Sequence, residues 1–170
     1  LSAKLMLMLV NTPGSIAILS VMPKDYHIED RIRGFKSYFA QYTDWIINTY
    51  TVNAREDMSY ATVTRSILNE NQDLQGIFTP NACSFQSAHV LRDIKSTRKI
   101  CMVGYDLVAQ NIQCLEEGTI DFLISQRSEM QGYQSIYNLY KNVVLMEAVE
   151  PRVYMPLDII TKENLEFYQN

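Results

Sequence analysis

Arg31, Asn81, Asp106 and Gln126 each sit just after an apolar, strand-like run in a chain that otherwise alternates strand and helix patterns. A guanidinium offers a planar fork of donors suited to hydroxyl or carboxylate oxygens. Amides both donate and accept, and a carboxylate can accept two sugar hydroxyls or balance an arginine charge. Together these residues make a charge-balanced set of donors and acceptors, which fits recognition of a neutral polyhydroxyl molecule. The set lacks the nucleophile and base of acyl or phosphoryl transfer, and His27 and His89 fall on different units with no acid or thiol placed to form a triad. Binding is therefore expected, not catalysis. No glycine-rich phosphate cradle is present, and neither a cofactor nor a metal is expected. Each residue also has an ordinary alternative: a surface ion pair of Arg31 with Glu29 or Asp30, a helix N-cap at Asn81, a cap or a metal or phosphoryl-acceptor site at Asp106, and an exposed hinge residue at Gln126.

For the four to meet, the chain must bring several strand ends to one rim. Ser2 to Val10 reads as an apolar helix, and Asn11-Thr12-Pro13-Gly14 breaks it before the run Ser15–Val21. Ile28, Ile32, Phe35 and Phe39 then recur at helical spacing, with Arg31 expected to open that helix. Strand-like runs follow at Trp45–Val52, Leu74–Phe78, Lys99–Gly104 and Ile120–Ser125. Helical stripes lie between them at Ala61–Leu68, Phe85–Ile94 and Val108–Leu115, the last ended by Gly118 as a C′ glycine. Strands of about five residues, each followed by an amphipathic helix, predict βαβ crossovers and an α/β fold with a parallel sheet flanked by helices. In such sheets the carboxyl ends of the strands face one crevice, where distant residues converge.

The tail departs from this rhythm. Tyr133, Ile136, Tyr137, Tyr140, Val143 and Val144 give a helix with a broad aromatic face that needs a partner surface. Val153–Ile160 is an extended run that Pro151 and Pro156 keep out of a central strand.

The chain has 170 residues, 47% hydrophobic and 20% charged, enough for one domain with a real core. A net charge of -4 excludes a nucleic-acid surface on this segment, since phosphate neutralisation needs clustered Lys and Arg. Cys83, Cys101 and Cys114 have no CxxC spacing and predict reduced thiols, not a disulfide framework or zinc site. The apolar run Lys4–Val10 is too short for most signal-peptide cores and has no A-x-A pattern after it, and no run is long enough to span a bilayer. The chain starts at Leu1, as a fragment or processed chain would.

Five motifs carry a family resemblance: Arg31-x-x-Gly34-Phe35, Gly76-Ile77-Phe78-x-x-Asn81, Val103-Gly104-Tyr105-Asp106, Ile124-Ser125-Gln126 with Gly132-Tyr133, and Ile159 to Leu165. Their order and spacing resemble the effector-binding core of LacI-type transcriptional regulators, a core shared with periplasmic sugar-binding proteins. The resemblance implies a type I periplasmic-binding-protein-like fold of two lobes that close on a small, sugar-like effector. It implies a second lobe at residues 1–126, a helix and strand of the first lobe at 127–157, and a return segment at 158–170. It further implies a cytoplasmic homodimer that meets DNA only through an N-terminal headpiece absent from this sequence, with no membrane partner. Carried over by position, Arg31, Asn81, Asp106 and Gln126 match ligand-contacting positions, and Met58 falls near an aromatic wall position. Departures occur at Ala82, where aspartate is common, at Phe85 and Ser87, and at Arg127-Ser128, where an aromatic is missing. Two other readings compete: a periplasmic sugar-binding or sensor domain of the same fold, and an α/β enzyme using Cys83 or Asp106.

Overall fold

The computed structural model describes residues 1–21, 25–53, 59–94 and 98–168. Among them, six strands form one sheet: β1 (Ser15–Val21), β2 (Ile46–Val52), β3 (Leu74–Phe78), β4 (Cys101–Tyr105), β5 (Phe122–Ser125) and β6 (Asp158–Ile160). Their spatial order is β2-β1-β3-β4-β5-β6. The pairs from β2 through β5 are parallel, and β6 runs antiparallel to β5 at the edge. The expected α/β architecture is thus present, with one reversed edge strand.

Among the described residues six α-helices accompany the strands: α1 (Ser2–Leu9), α2 (Tyr26–Phe39), α3 (Tyr60–Glu70), α4 (Ser84–Ile94), α5 (Ala109–Glu116) and α6 (Ser128–Val143). Alternation along the strands sorts their side chains to two faces. Ile16 and Ile18 pack with Met6, Phe35 and Phe39 from α1 and α2. Ala17 and Leu19 face the opposite layer, with Val63 and Ile67 of α3, Ala88 and Leu91 of α4, and Leu115 of α5. Covering both faces explains why the inner strands read as continuous apolar runs. Helix α5 ends as its glycine predicts: Gly118 has φ +77°, its N–H donates to Leu115 O at 3.0 Å, and Thr119 N–H donates to Cys114 O at 2.9 Å. These are the two bonds of a Schellman motif.

One expectation needs correction. Arg31 does not open its helix: α2 begins at Tyr26 after Asp25, which places Arg31 in the second turn. The apolar stripe already begins inside the first turn, where buried Ile28 sits among exposed Tyr26, His27 and Glu29, three residues before Arg31. The extended run Val153–Ile160 lies outside the centre of the sheet as expected, and its end, Asp158–Ile160, pairs with Leu123 to Ser125 at the edge.

Helix α6 stands apart from the layers. None of its residues is buried, and Ile136 and Leu139 are 69% and 60% exposed. Ser125 lies opposite Asp158 in the β5–β6 register, so the chain leaves and re-enters the sheet at one place. Arg127, at φ 53°, clasps Asp158 there with Nε and Nη2 bonds of 2.7 and 2.8 Å. No helix among the described residues is long and apolar enough to cross a membrane.

Candidate functional site

The order of the strands creates the crevice. The chain passes outward from β1 to β2 and returns on the other side of β1 to β3, so the winding reverses between β1 and β3. A ligand crevice forms outside the carboxyl ends of strands at such a reversal. Pro80 and Asn81 follow β3, Asp106 follows β4, Gln126 follows β5, and α2 brings Arg31 from the β1 side.

Phe35 fixes Arg31. Residues four apart share one helical face, and Phe35 stacks on Phe78 at the end of β3 with ring centroids 4.5 Å apart. Arg31 is therefore aimed over the strand ends. Its guanidinium carbon lies 4.0 Å from the centroid of the Tyr105 ring. Nη1 donates to Pro80 O at 2.6 Å, and Nη2 donates to Gln126 Oε1 at 2.5 Å. Gln126 in turn donates through Nε2 to Asp106 Oδ1 at 2.8 Å. Three of the four singled-out residues thus form one chain of hydrogen bonds, and all four are half-buried. The expected alternative for Arg31 does not occur, since Asp30 pairs with Arg33 instead.

Asn81 lies beside this chain, next to the Pro80 carbonyl, without bonding to it. Its Oδ1 accepts Cys83 N–H at 3.1 Å and the Tyr60 hydroxyl at 3.0 Å, while its Nδ2 is 2.8 Å from that hydroxyl. The bond to Cys83 closes an Asx turn two residues on, not an N-cap of α4, which begins at Ser84. Burial pushes the Tyr60 hydroxyl well above its ordinary range, so it stays protonated as a donor. Met58 lies outside the described residues.

Asp106 has φ 66°, in the left-handed region that aspartate tolerates better than most residues. Its N–H donates to Ile124 O at 3.0 Å, which holds the turn against β5. The motif glycine before it has a steric reason. A Cβ at Gly104 would come 2.7 Å from Ser84 Cβ, the first residue of α4.

Tyr60, Tyr105 and Asn111 also shape this rim, and sequence reasoning did not single them out. Tyr105 read only as an inner residue of the Val103–Asp106 motif, and the long-range bonds of the other two leave no local periodic signal. The histidines make no triad: His27 pairs with exposed Asp25, and His89 packs edge-on against Phe85. Burial raises the Cys83 thiol, the opposite of what activates a nucleophile. Cys101 and Cys114 are buried free thiols, and Cys83 is half-buried and free. Among the described residues no cluster of His, Cys, Asp and Glu could hold a metal ion.

Comparison with known proteins agrees with this architecture. The xylose/arabinose-binding protein XylF of Sulfolobus acidocaldarius is 26% identical over 168 residues, a match covering 94% of this chain and 41% of that protein. A candidate LacI transcriptional regulator from Bacteroides fragilis is 26% identical with a TM-score of 0.90, covering 98% of this chain and 59% of that one. An ABC transporter periplasmic solute-binding protein from Actinobacillus succinogenes 130z, with bound D-allose, superposes at a TM-score of 0.87 and 24% identity, covering 98% of this chain and 58% of that one. This chain therefore spans less than two thirds of the length of each, and the similarity takes in a regulator and sugar-binding proteins alike. The family model for the periplasmic binding protein domain matches residues 1–144, the stretch that carries the β1–β5 sheet and its rim, and the chain belongs to that family.

Proposed function

We propose that this chain is the second lobe of an effector-binding domain in a LacI-type, DNA-binding transcriptional regulator, and that its effector is a neutral carbohydrate. The observation that carries the reading is the bond chain Arg31–Gln126–Asp106 at the strand ends. Gln126 holds a cation and an anion at a fixed spacing, so the rim is preorganised and nearly neutral. Arg31 keeps unused N–H groups, and the Gln126 bond takes only one oxygen of Asp106, which leaves donors and an acceptor for sugar hydroxyls. Asn81 contributes an amide on the adjacent loop.

On this reading residues 1–126 are one lobe, residues 127–157 complete a first lobe, and residues 158–170 return. The complete absence of buried residues on α6 supports that division. Effector binding favours the closed state, and lobe closure resets the spacing of DNA-reading headpieces in a cytoplasmic homodimer. A second reading, a periplasmic sugar-binding component, is favoured by the xylose/arabinose-binding relative. The residues preceding Leu1 in the full-length protein separate the two: a basic helix-turn-helix or a signal sequence.

The test is a thermal-shift screen of the full-length protein with D-xylose, D-arabinose, D-allose and D-tagatose. A sugar at about one hundred times its dissociation constant adds about 2.7 kcal/mol of stability. Arg31→Ala and Asp106→Ala should each abolish that response while remaining folded. Retention of the full response by both variants would overturn the site.

A further inference from the structure

Asn111 is a wholly buried polar residue on α5 whose side chain serves no group of its own helix. Its Nδ2 lies 3.0 Å from Ala82 O, 2.9 Å from Tyr105 O and 3.1 Å from Asp106 O. Its Oδ1 accepts Phe85 N–H at 2.8 Å. An amide nitrogen carries two N–H groups, so three carbonyls share two donors. The four backbone groups lie at two separate connections: Ala82 and the first turn of α4 at Phe85, beside Asn81, and the end of β4 at Tyr105 with the turn at Asp106 that leads towards α5.

The residue type is informative. Asparagine is a weak helix former, and residues 114 and 115 of the same helix fill their buried positions with Cys and Leu. An apolar side chain at this position could not bond four backbone groups. The need is greatest at Asp106, whose left-handed φ of 66° marks the turn out of β4. Its N–H is taken by Ile124, and its carbonyl is taken by Asn111.

We propose that Asn111 is a positioning residue that joins the Asn81 loop and the Asp106 turn into one rigid unit, fixing the spacing at which both face the ligand. This rests on the crevice being the sugar site. Without the amide, each loop keeps its own local bonds but loses its registration with the other. The Arg31–Gln126–Asp106 chain then acquires a mobile anchor at its Asp106 end.

The decisive experiment is a double-mutant cycle on the full-length protein, titrating D-xylose, D-arabinose, D-allose and D-tagatose calorimetrically. Asn111→Ala should weaken the tightest of these sugars at least about tenfold. In an Asp106→Asn background the same change should cost less than about threefold, because the group it positions is already impaired. Equal losses in both backgrounds would reduce Asn111 to a general packing role and overturn the proposal, as would wild-type affinity in Asn111→Ala. If Asp106→Asn binds as tightly as wild type, or none of the four sugars binds, the site reading fails instead. Amide exchange of the ligand-free protein then decides the joint: Asn111→Ala should speed exchange in both residues 79–86 and 105–108. Faster exchange in only one segment, or in neither, overturns it. Should Asn111→Ala fail to fold, the wild-type protein supplies the readout, with both segments opening at a common rate. Rates differing by more than about tenfold would show that no joint exists.

Discussion

The guanidinium carbon of Arg31 lies over the Tyr105 ring, 4.0 Å from its centroid. A cation against an aromatic face gains about 0.5–1 kcal/mol when partly exposed, and the ring also stops the side chain from swinging away from Gln126. Tyr105→Leu should therefore weaken sugar binding about two- to fivefold, the same energy expressed as an equilibrium ratio. Tyr105→Phe, which keeps the ring, should bind nearly as the wild type does. Isothermal titration of both variants with D-xylose and D-allose checks the difference, and equal affinities would remove the ring from the account.

Gly104 is a steric requirement. Because an added Cβ would meet Ser84 Cβ at 2.7 Å, Gly104→Ala must push the start of α4 away from β4. Overpacking of this kind costs about 1–3 kcal/mol. The displacement falls on the segment that carries Asn81, so sugar affinity should drop along with the denaturation midpoint. A variant with unchanged midpoint and unchanged affinity would show that the helix start yields freely.

The clasp between Arg127 and Asp158 gives stability a pH dependence. The guanidinium beside Asp158 holds its carboxyl below the ordinary value. A depressed native value means that the contribution is complete above the ordinary aspartate pKa of about 3.9 and fades as pH falls through the lower native value. Asp158→Asn should thus be less stable than wild type at about pH 6, with the gap narrowing below about pH 3. Urea unfolding across that range measures it, and a gap independent of pH would contradict the assignment.

Helix α6 should behave differently in two contexts. In the segment 1–170, Leu139 is 60% exposed, and Leu139→Ala should change stability by less than about 0.5 kcal/mol. In a full-length protein whose first lobe covers α6, the same truncation should cost about 2–5 kcal/mol. Equal small effects in both would refute the lobe division.

Thr79 offers a simpler test. Its hydroxyl is buried without a hydrogen-bond partner among the described residues. Thr79→Val removes an unsatisfied polar group with little change of shape and should raise stability by about 1 kcal/mol in a denaturant titration. A loss of stability would mean that the hydroxyl is satisfied in solution.

The strands most legible in the sequence were those bounded by chemistry. Ser15–Val21 follows a Pro-Gly break and Leu74–Phe78 ends at Thr79-Pro80, and both matched the structure to the residue. The start of α2 was legible in Ile28, the first residue of the apolar stripe, which lies in the first turn three residues before Arg31. The two prolines marked the run Val153–Ile160 as one outside the sheet's centre, and its last three residues form the edge strand β6 on β5. At the rim, Asp106 and Gln126 do follow strand ends, whereas Arg31 reaches them from the second turn of α2. Strand-end position could not find Tyr60 or Asn111, whose bonds reach 21 and up to 29 residues along the chain. Such partners are chosen by tertiary proximity, which no local pattern encodes.

Ser125 and Asp158 being register partners has a mechanical consequence. Everything between them is moored to the sheet by two adjacent backbone segments tied together by ladder bonds and an ion pair. A double tether of this kind flexes readily about the line that joins its two exits and resists torsion across it. Were residues 126–157 to move as a body against the sheet, that motion would be channelled toward a single swing, much as two hinges on one edge dictate how a door can move.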